Sequence, residues 1–315
     1  MPVPVTGMTG ALAMLCALFA DHFLGEPPAR LHPVVWMGNA LTLTGAPWQK
    51  AGPAMAFTAG ALAWLIGAVL SAGVAWLAVA GIGLAIGASS VAGTLARAAL
   101  VGLLLKPLLA WRMLRDEVLA VEFALECSLD AGRTQLRRLV SRDTSRLTAT
   151  EVRESALESL AENLNDSLVA PLFWFAIGGL PAAALYRFAN TADAMWGYHG
   201  SWEWAGKWAA RADDLLSYVP ARVAAALLSL GAWQWPSRLR QIAQLTPSPN
   251  GGWPMGMLAL ALNVRLSKPG VYVLNASGDL VQAHHLKAGL RTCDRAAWLT
   301  AVLMIGLTLM VARWL

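Results

Sequence analysis

Polar and apolar positions alternate here in long blocks. Residues 1–20 are apolar with no basic residue ahead of the run, which predicts a retained first span and not a cleaved signal. From Ala51 to Ala96 no residue carries a charge. As one helix this stretch would be roughly 69 Å long, against a hydrocarbon core of about 30 Å, so it must fold back. Gly81 to Gly87, followed by Ser89 and Ser90, is the expected turn between spans near 54–78 and 91–111. Residues 112–166 form the one sizeable polar region, read as two helices. The first covers about 105–128; the second opens at a Thr148–Glu151 capping box and ends near Asp166. Two later apolar stretches, 168–186 and 219–235, are short or interrupted by Pro171, Gly178, Gly179 and Pro181, with basic residues on their flanks. They are expected to be broken helices that do not simply cross. A last span falls at about 296–313.

Composition agrees with this pattern. Of 315 residues, 57% are hydrophobic and only 14% charged, with a mean hydropathy of +0.51. That combination indicates a membrane protein. Many of the 15 tryptophans, Trp196 among them, stand near the ends of apolar runs, where an indole suits the headgroup level. The net charge of +5 is modest and calls for no nucleic acid; membrane lipid is the expected contact. Arg112, Arg115, Arg133, Arg137, Arg138, Arg142 and Arg146 mark the polar region as cytoplasmic. Three scattered cysteines give neither a disulfide framework nor a zinc site. The fold class expected is all-α: a multi-pass integral membrane helical bundle with broken or re-entrant helices and a cytoplasmic helical region. No linker or repeat divides residues 1–315, so a single domain is expected.

The chemistry-bearing residues gather between 142 and 222, with a few outliers. On the helix after Thr148, Glu154, Glu158, Glu162 and Asp166 recur every four residues. Like charges at that spacing cost a helix about 0.2–0.5 kcal/mol per pair. A solvated acidic face accounts for Glu154 as well as function does. Glu162 and Asp166, flanking Asn163 and running into apolar sequence, suit a divalent cation or a cationic substrate. Mg²⁺ takes such oxygen ligands. Further candidates are Asn190 with Asp193, and Arg211 with the adjacent Asp213 and Asp214, one of which could pair with Arg222 instead of binding metal. Arg142–Asp143–Thr144 offers a fork for phosphate or carboxylate, or merely a surface turn. His32 follows a turn beside Asp21, and Asn250 sits in a tight turn. No phosphate loop, G-x-G-x-x-G or H-E-x-x-H occurs.

The ordered motifs carry more. Asp21-x-x-x-Gly25-x-Pro27 with His32-Pro33-Val34 comes first, then Arg142-Asp143-Thr144 and Glu158-Ser-x-Ala-Glu162-Asn163-x-x-Asp166. Asn190-Thr191-x-Asp193-x-Met195-x-Gly197-Tyr198, Arg211-x-Asp213-Asp214 with Pro220-Ala-Arg222, and Ser248-Pro249-Asn250-x-x-Trp253 follow. In this order they resemble the CobD/CbiB family of cobalamin biosynthesis. The resemblance implies an adenosylcobinamide-phosphate synthase, a carbon–nitrogen ligase joining aminopropanol phosphate (or aminopropanol) to the propionate of adenosylcobyric acid with ATP and Mg²⁺. By this resemblance Glu158, Glu162, Asp166, Asp193 and His32 are expected to be catalytic. Arg142, Asp143, Thr144, Asn163, Asn190, Tyr198, Arg211, Arg222 and Asn250 would bind substrate, and Glu162, Asp166, Asp193, Asp213 and Asp214 would hold metal. Ser141 and Met255 depart from the family pattern, Met255 standing where a glutamate is common.

A non-catalytic membrane regulator on the same scaffold, or a corrinoid or cation transporter, is the competing class. The resemblance implies a multi-pass protein of the bacterial inner membrane with its active site on the cytoplasmic side. A homo-oligomer or other corrinoid-pathway enzymes are the implied protein partners.

Overall fold

The computed structural model describes residues 7–87 and 90–314. The first six residues of the expected first span, and Ser89 of the expected turn, lie outside them. In chain order the elements are α1 (Gly7–Leu24), α2 (Pro33–Gly45), α3 (Pro53–Ala85), α4 (Val91–Leu105), α5 (Trp111–Cys127), α6 (Leu129–Leu136) and α7 (Ala149–Leu164). They continue with α8 (Ala170–Trp196), α9 (Lys207–Ala232), α10 (Leu239–Ala243), α11 (Gly252–Ala261), β1 (Leu266–Lys268), β2 (Tyr272–Leu274) and α12 (Ala283–Val311). Among the described residues, six helical segments are long and apolar enough to cross a membrane. The protein is an all-α, multi-pass membrane bundle. Its one β-hairpin closes on Pro269 and Gly270, the latter at φ +73°, as a type II turn requires.

Several expected boundaries move. Helix α3 continues through Gly81 and Gly83 to Ala85, giving 33 residues or roughly 50 Å. Its last carbonyls find a donor, because the Arg97 guanidinium bonds Gly83 O at 2.6 Å and Ile86 O at 2.5 Å. The span expected at 91–111 stops at Leu105, where Lys106–Leu108 forms a 3₁₀ turn containing Pro107, and the polar helix starts only at Trp111. The stretches at 168–186 and 219–235 were expected not to cross simply, on account of their length, their interruptions and their basic flanks. Both are parts of longer helices, Ala149–Trp196 and Lys207–Ala232, which reach crossing length. The first is broken as expected, at Gly178 and Gly179. The second continues through Pro220. Proline there has no N–H for the Leu216 carbonyl four residues back, and the Trp174 indole donates to that carbonyl instead, at 3.1 Å.

The chain divides into two compact units. One comprises Met1–Ala110, Ala170–Leu216 and Ala301–Leu315; the other comprises Trp111–Val169 and Ser217–Thr300. In the first, α4 packs along α1 and α3 along α8. Gly102 allows the former approach, since a Cβ there would lie 2.6 Å from the Ala13 carbonyl oxygen. Leu41, Trp64, Phe188 and Trp196 build a core. Trp196, expected at the membrane interface, is instead buried and stacked on Trp202. A buried ion cluster fixes the entry to α2: Lys106 Nζ lies 3.1 Å from Asp21 Oδ1 and 2.7 Å from Glu26 Oε1, and His32 Nε2 lies 3.1 Å from Glu26 Oε2.

In the second unit α7 packs against α5, α6 and α11. The capping box forms as expected: Glu151 Oε2 accepts from Thr148 N at 2.7 Å and Thr148 Oγ1 from Glu151 N at 3.3 Å. Arg153 bonds the buried Glu122 through two nitrogens, each at 2.7 Å. All three cysteines are free, and Cys127 is exposed.

Two outcomes follow from these contacts. Trp174→Phe removes the donor that serves Leu216 O and should lower stability by about 1–3 kcal/mol; an unchanged Tm in detergent would refute this role. Burial opposes ionisation of Glu26, but hydrogen bonds from His32 and Lys106 outweigh it and hold its pKa below the ordinary 4.5. A depressed carboxylate contributes stability that is full above that value and is lost as pH falls through the lower folded pKa. The Tm gap between wild type and Glu26→Gln should therefore be widest near neutral pH and close in acid.

Candidate active site

Helix α7 carries Glu154, Glu158 and Glu162 on successive turns, and the fold gives each its own surroundings. Glu154 is fully buried, not on a solvated face: Ser267 Oγ donates to its Oε2 and Arg265 Nη2 lies 3.6 Å from its Oε1. It thereby ties α7 to β1. Glu158, 2% exposed, pairs with Arg142, whose Nη2 donates to its Oε2 at 2.6 Å. Glu158 Oε1 and Arg142 Nη1 are buried and have no hydrogen-bond partner. Glu162 is exposed and approaches Gly251, where a Cβ would begin 2.9 Å from its Oε1. Any side chain at 251 would push that carboxylate away.

Tyr272 on β2 completes this group. Burial, then the negative charge of Glu158 and a hydrogen bond with it, and then the charge of Glu162, raise the pKa of its phenol. Its hydroxyl donates to Met255 Sδ at 3.7 Å, so the methionine at the family's glutamate position forms part of the wall. Tyr272 was not expected among the site residues. The only hint in the sequence is that the family-like motifs run up to it, and only the hairpin brings it to α7.

Other expected site residues prove to hold the scaffold. Arg222 donates to Tyr218 O at 2.6 Å, to Asn250 Oδ1 at 2.9 Å and to Pro249 O at 3.2 Å, while its guanidinium lies over the Tyr218 and Trp253 rings. Asn250 is buried, and together they pin the turn that carries Gly251. Thr144 is buried too: its hydroxyl donates to Arg133 O and accepts from Arg137 Nε. Asp143 closes an exposed turn on the backbone N–H and hydroxyl of Ser145, which lower its pKa. Asn163 Nδ2 returns to Ser159 O one turn back. After α7 the backbone makes a π-helical turn, Asn165–Val169, in which Asp166 Oδ1 accepts from Asn165 Nδ2 at 2.8 Å.

The remaining expected residues belong to the other unit. There Asn190 Nδ2 lies 3.4 Å from Asp213 Oδ1. The carboxylate of Asp193 folds against Gly197, where a Cβ would be 2.1 Å from its Oδ1. Asp214 follows Asp213 on α9, and Arg211 and Tyr198 are exposed. His32, expected to be catalytic, is bound to Glu26 in the ion cluster described above.

Among the described residues, no three His, Cys, Asp or Glu side chains converge within either unit as a metal cage. The donors suit Mg²⁺ in its other mode, one or two carboxylates completed by phosphate oxygens. Asp166, half-buried on the turn after α7 and among the expected metal residues, offers a carboxylate of that kind.

The CobD/Cbib protein family model matches residues 14–303. The chain belongs to the CobD/CbiB family. Among similar proteins is the "Probable cobalamin biosynthesis protein CobD" of Methanothermobacter thermautotrophicus, 37% identical over 282 residues, covering 86% of this chain and 89% of that one. The "Cobalamin biosynthesis protein CobD" of Brucella anthropi is 35% identical over 318 residues, 93% of this chain and 94% of the relative. That of Yersinia enterocolitica is 37% identical over 275 residues, 82% and 83% respectively. No solved structure matches the chain. CobD/CbiB membership gives the protein a role in cobalamin biosynthesis, at a membrane that its helices are able to span.

A raised phenol pKa has a direct readout. Tyr272→Phe should leave unchanged the phenolate absorbance gained as the pH passes through 10, the ordinary tyrosine value, because the wild-type Tyr272 stays protonated there. A loss of absorbance in the variant would mean that Tyr272 titrates normally.

Proposed function

We propose that the chain joins the amine of aminopropanol, free or phosphorylated, to the propionate carboxylate of adenosylcobyric acid in an ATP-dependent reaction. The observation that carries this reading is the Arg142–Glu158 pair, which leaves one buried donor and one buried acceptor without a hydrogen-bond partner. Burying two such atoms without partners is costly, and a ligand that supplies both relieves the cost. Arg142 Nη1 is suited to an oxygen of a carboxylate or phosphate. Glu158 Oε1 is suited to the N–H of an incoming amine, and the nearby carboxylate of Glu162 to the proton that the amine must lose before its nitrogen attacks the activated carbonyl carbon. As the C–N bond forms, the C–O bond to the activating phosphate breaks. Tyr272, kept protonated, adds no charge beside them. Mg²⁺ when bound would neutralise phosphate charge. The proposed active side is cytoplasmic, supported by the arginines between 112 and 146.

The test is product formation by reconstituted protein given adenosylcobyric acid, aminopropanol phosphate, ATP and Mg²⁺, followed by mass spectrometry. Glu158→Gln and Arg142→Ala should each lower turnover by about 100-fold or more, with the protein still present in the membrane. Undiminished product from Arg142→Ala would overturn the assignment. Substrate flux into vesicles without product would favour a transporter.

A further inference from the structure

The unit built from α1–α4, α8 and the end of α12 holds a cavity of about 740 Å³, open to the exterior along part of its wall. Its origin lies in the packing. Because α4 runs along α1 and α3 along α8, consecutive helices α3 and α4 touch only sparingly, and the space beside them is closed by the loop after α1 and by α2. On α3 the wall is made of small residues in mid-helix, including Gly67, Ser71, Ala75 and Ala78; α4 contributes Leu103 and Leu104, and α8 contributes Phe188. Large apolar side chains at its edge, Leu24, Trp36, Leu70 and Val74, are exposed.

The exposed edge includes Leu70 and Val74 on the candidate span α3, and from Ala51 to Ala96 no charge occurs on α3 or on the start of α4. A dry apolar void forfeits the contacts of its lining, and water gains too few partners there to fill it. The medium around these spans is hydrocarbon. The lining's only charged members, Glu26 and Lys106, are paired with each other at 2.7 Å, and Lys106 is shared with Asp21 at 3.1 Å, so the lining offers no unpaired cation to an anionic headgroup. An uncharged chain is the complement of such a surface. We infer that the cavity beside α3 and α4 is a lipid-binding site that takes one acyl chain of a membrane phospholipid, selected by shape and not by headgroup charge. This inference does not rest on the proposed ligase activity.

The experiment is native mass spectrometry of the full chain, purified and washed in detergent, then exposed to phosphatidylcholine or phosphatidylglycerol. Wild type should keep one phospholipid of either kind through detergent exchange. Ser71→Phe, which sets a ring in the cavity, should keep about tenfold less. Leu62→Phe, exposed on α3 outside the lining, should behave as wild type. Should Ser71→Phe fail to fold, Ala78→Leu blocks the same wall and is read in its place. Equal retention by the blocked and wild-type proteins, retention of detergent alone, or a tenfold preference for phosphatidylglycerol would overturn the proposal.

Discussion

In a chain this apolar, a charge inside the protein survives only where another group pays its desolvation cost, and that constraint shapes both units. Lys106 holds Asp21 and Glu26 at the entry to α2. Arg153 meets Glu122 with two nitrogens, and Ser267 with Arg265 covers Glu154. Each pairing fastens elements that are remote in sequence: the α1 exit to the α4 exit, α5 to α7, and α7 to the hairpin. Removing one partner from such a pair costs far more than the pair gains over an apolar replacement. The charges therefore act as registration points more than as sources of net stability.

Arg142 and Glu158 are satisfied less completely than Arg153 and Glu122. They pair through one atom each and keep one buried donor and one buried acceptor unused. The neighbouring parts are arranged with the same economy of space. Gly251 lets Glu162 come close to the backbone, Arg222 and Asn250 hold the turn that carries Gly251, and the hairpin brings Tyr272 beside both glutamates. A buried pair that is incompletely satisfied is the kind of place where a ligand finds its partners, and the Glu154–Arg265 pair shares the feature through Glu154 Oε1 and Arg265 Nε.

Much of this was legible along the chain. The Thr148–Glu151 capping box, the break at Gly178 and Gly179, and the acidic recurrence on α7 are local patterns, and local geometry alone enforces them. Residue type alone does not separate substrate contacts from contacts that hold the scaffold. Thr144, Asn250 and Arg222 look like ligand groups as residue types, yet their hydrogen-bonding capacity is used within the fold. Pro220 leaves the Leu216 carbonyl on α9 without its helical donor, and the Trp174 indole, 42 residues from Leu216 along the chain, supplies one.

The sequence by itself determined the membrane class, the helical period and the family, because hydropathy, capping and ordered motifs are written in consecutive residues. It could not decide which of four regularly spaced carboxylates would be buried, which would be paired and which would face the turn at Gly251. That choice depends on what the hairpin and the loop before α7 bring against the helix. Partners so far apart in the chain are chosen by packing, and the free energy of a buried charge depends on its partner more than on its own identity.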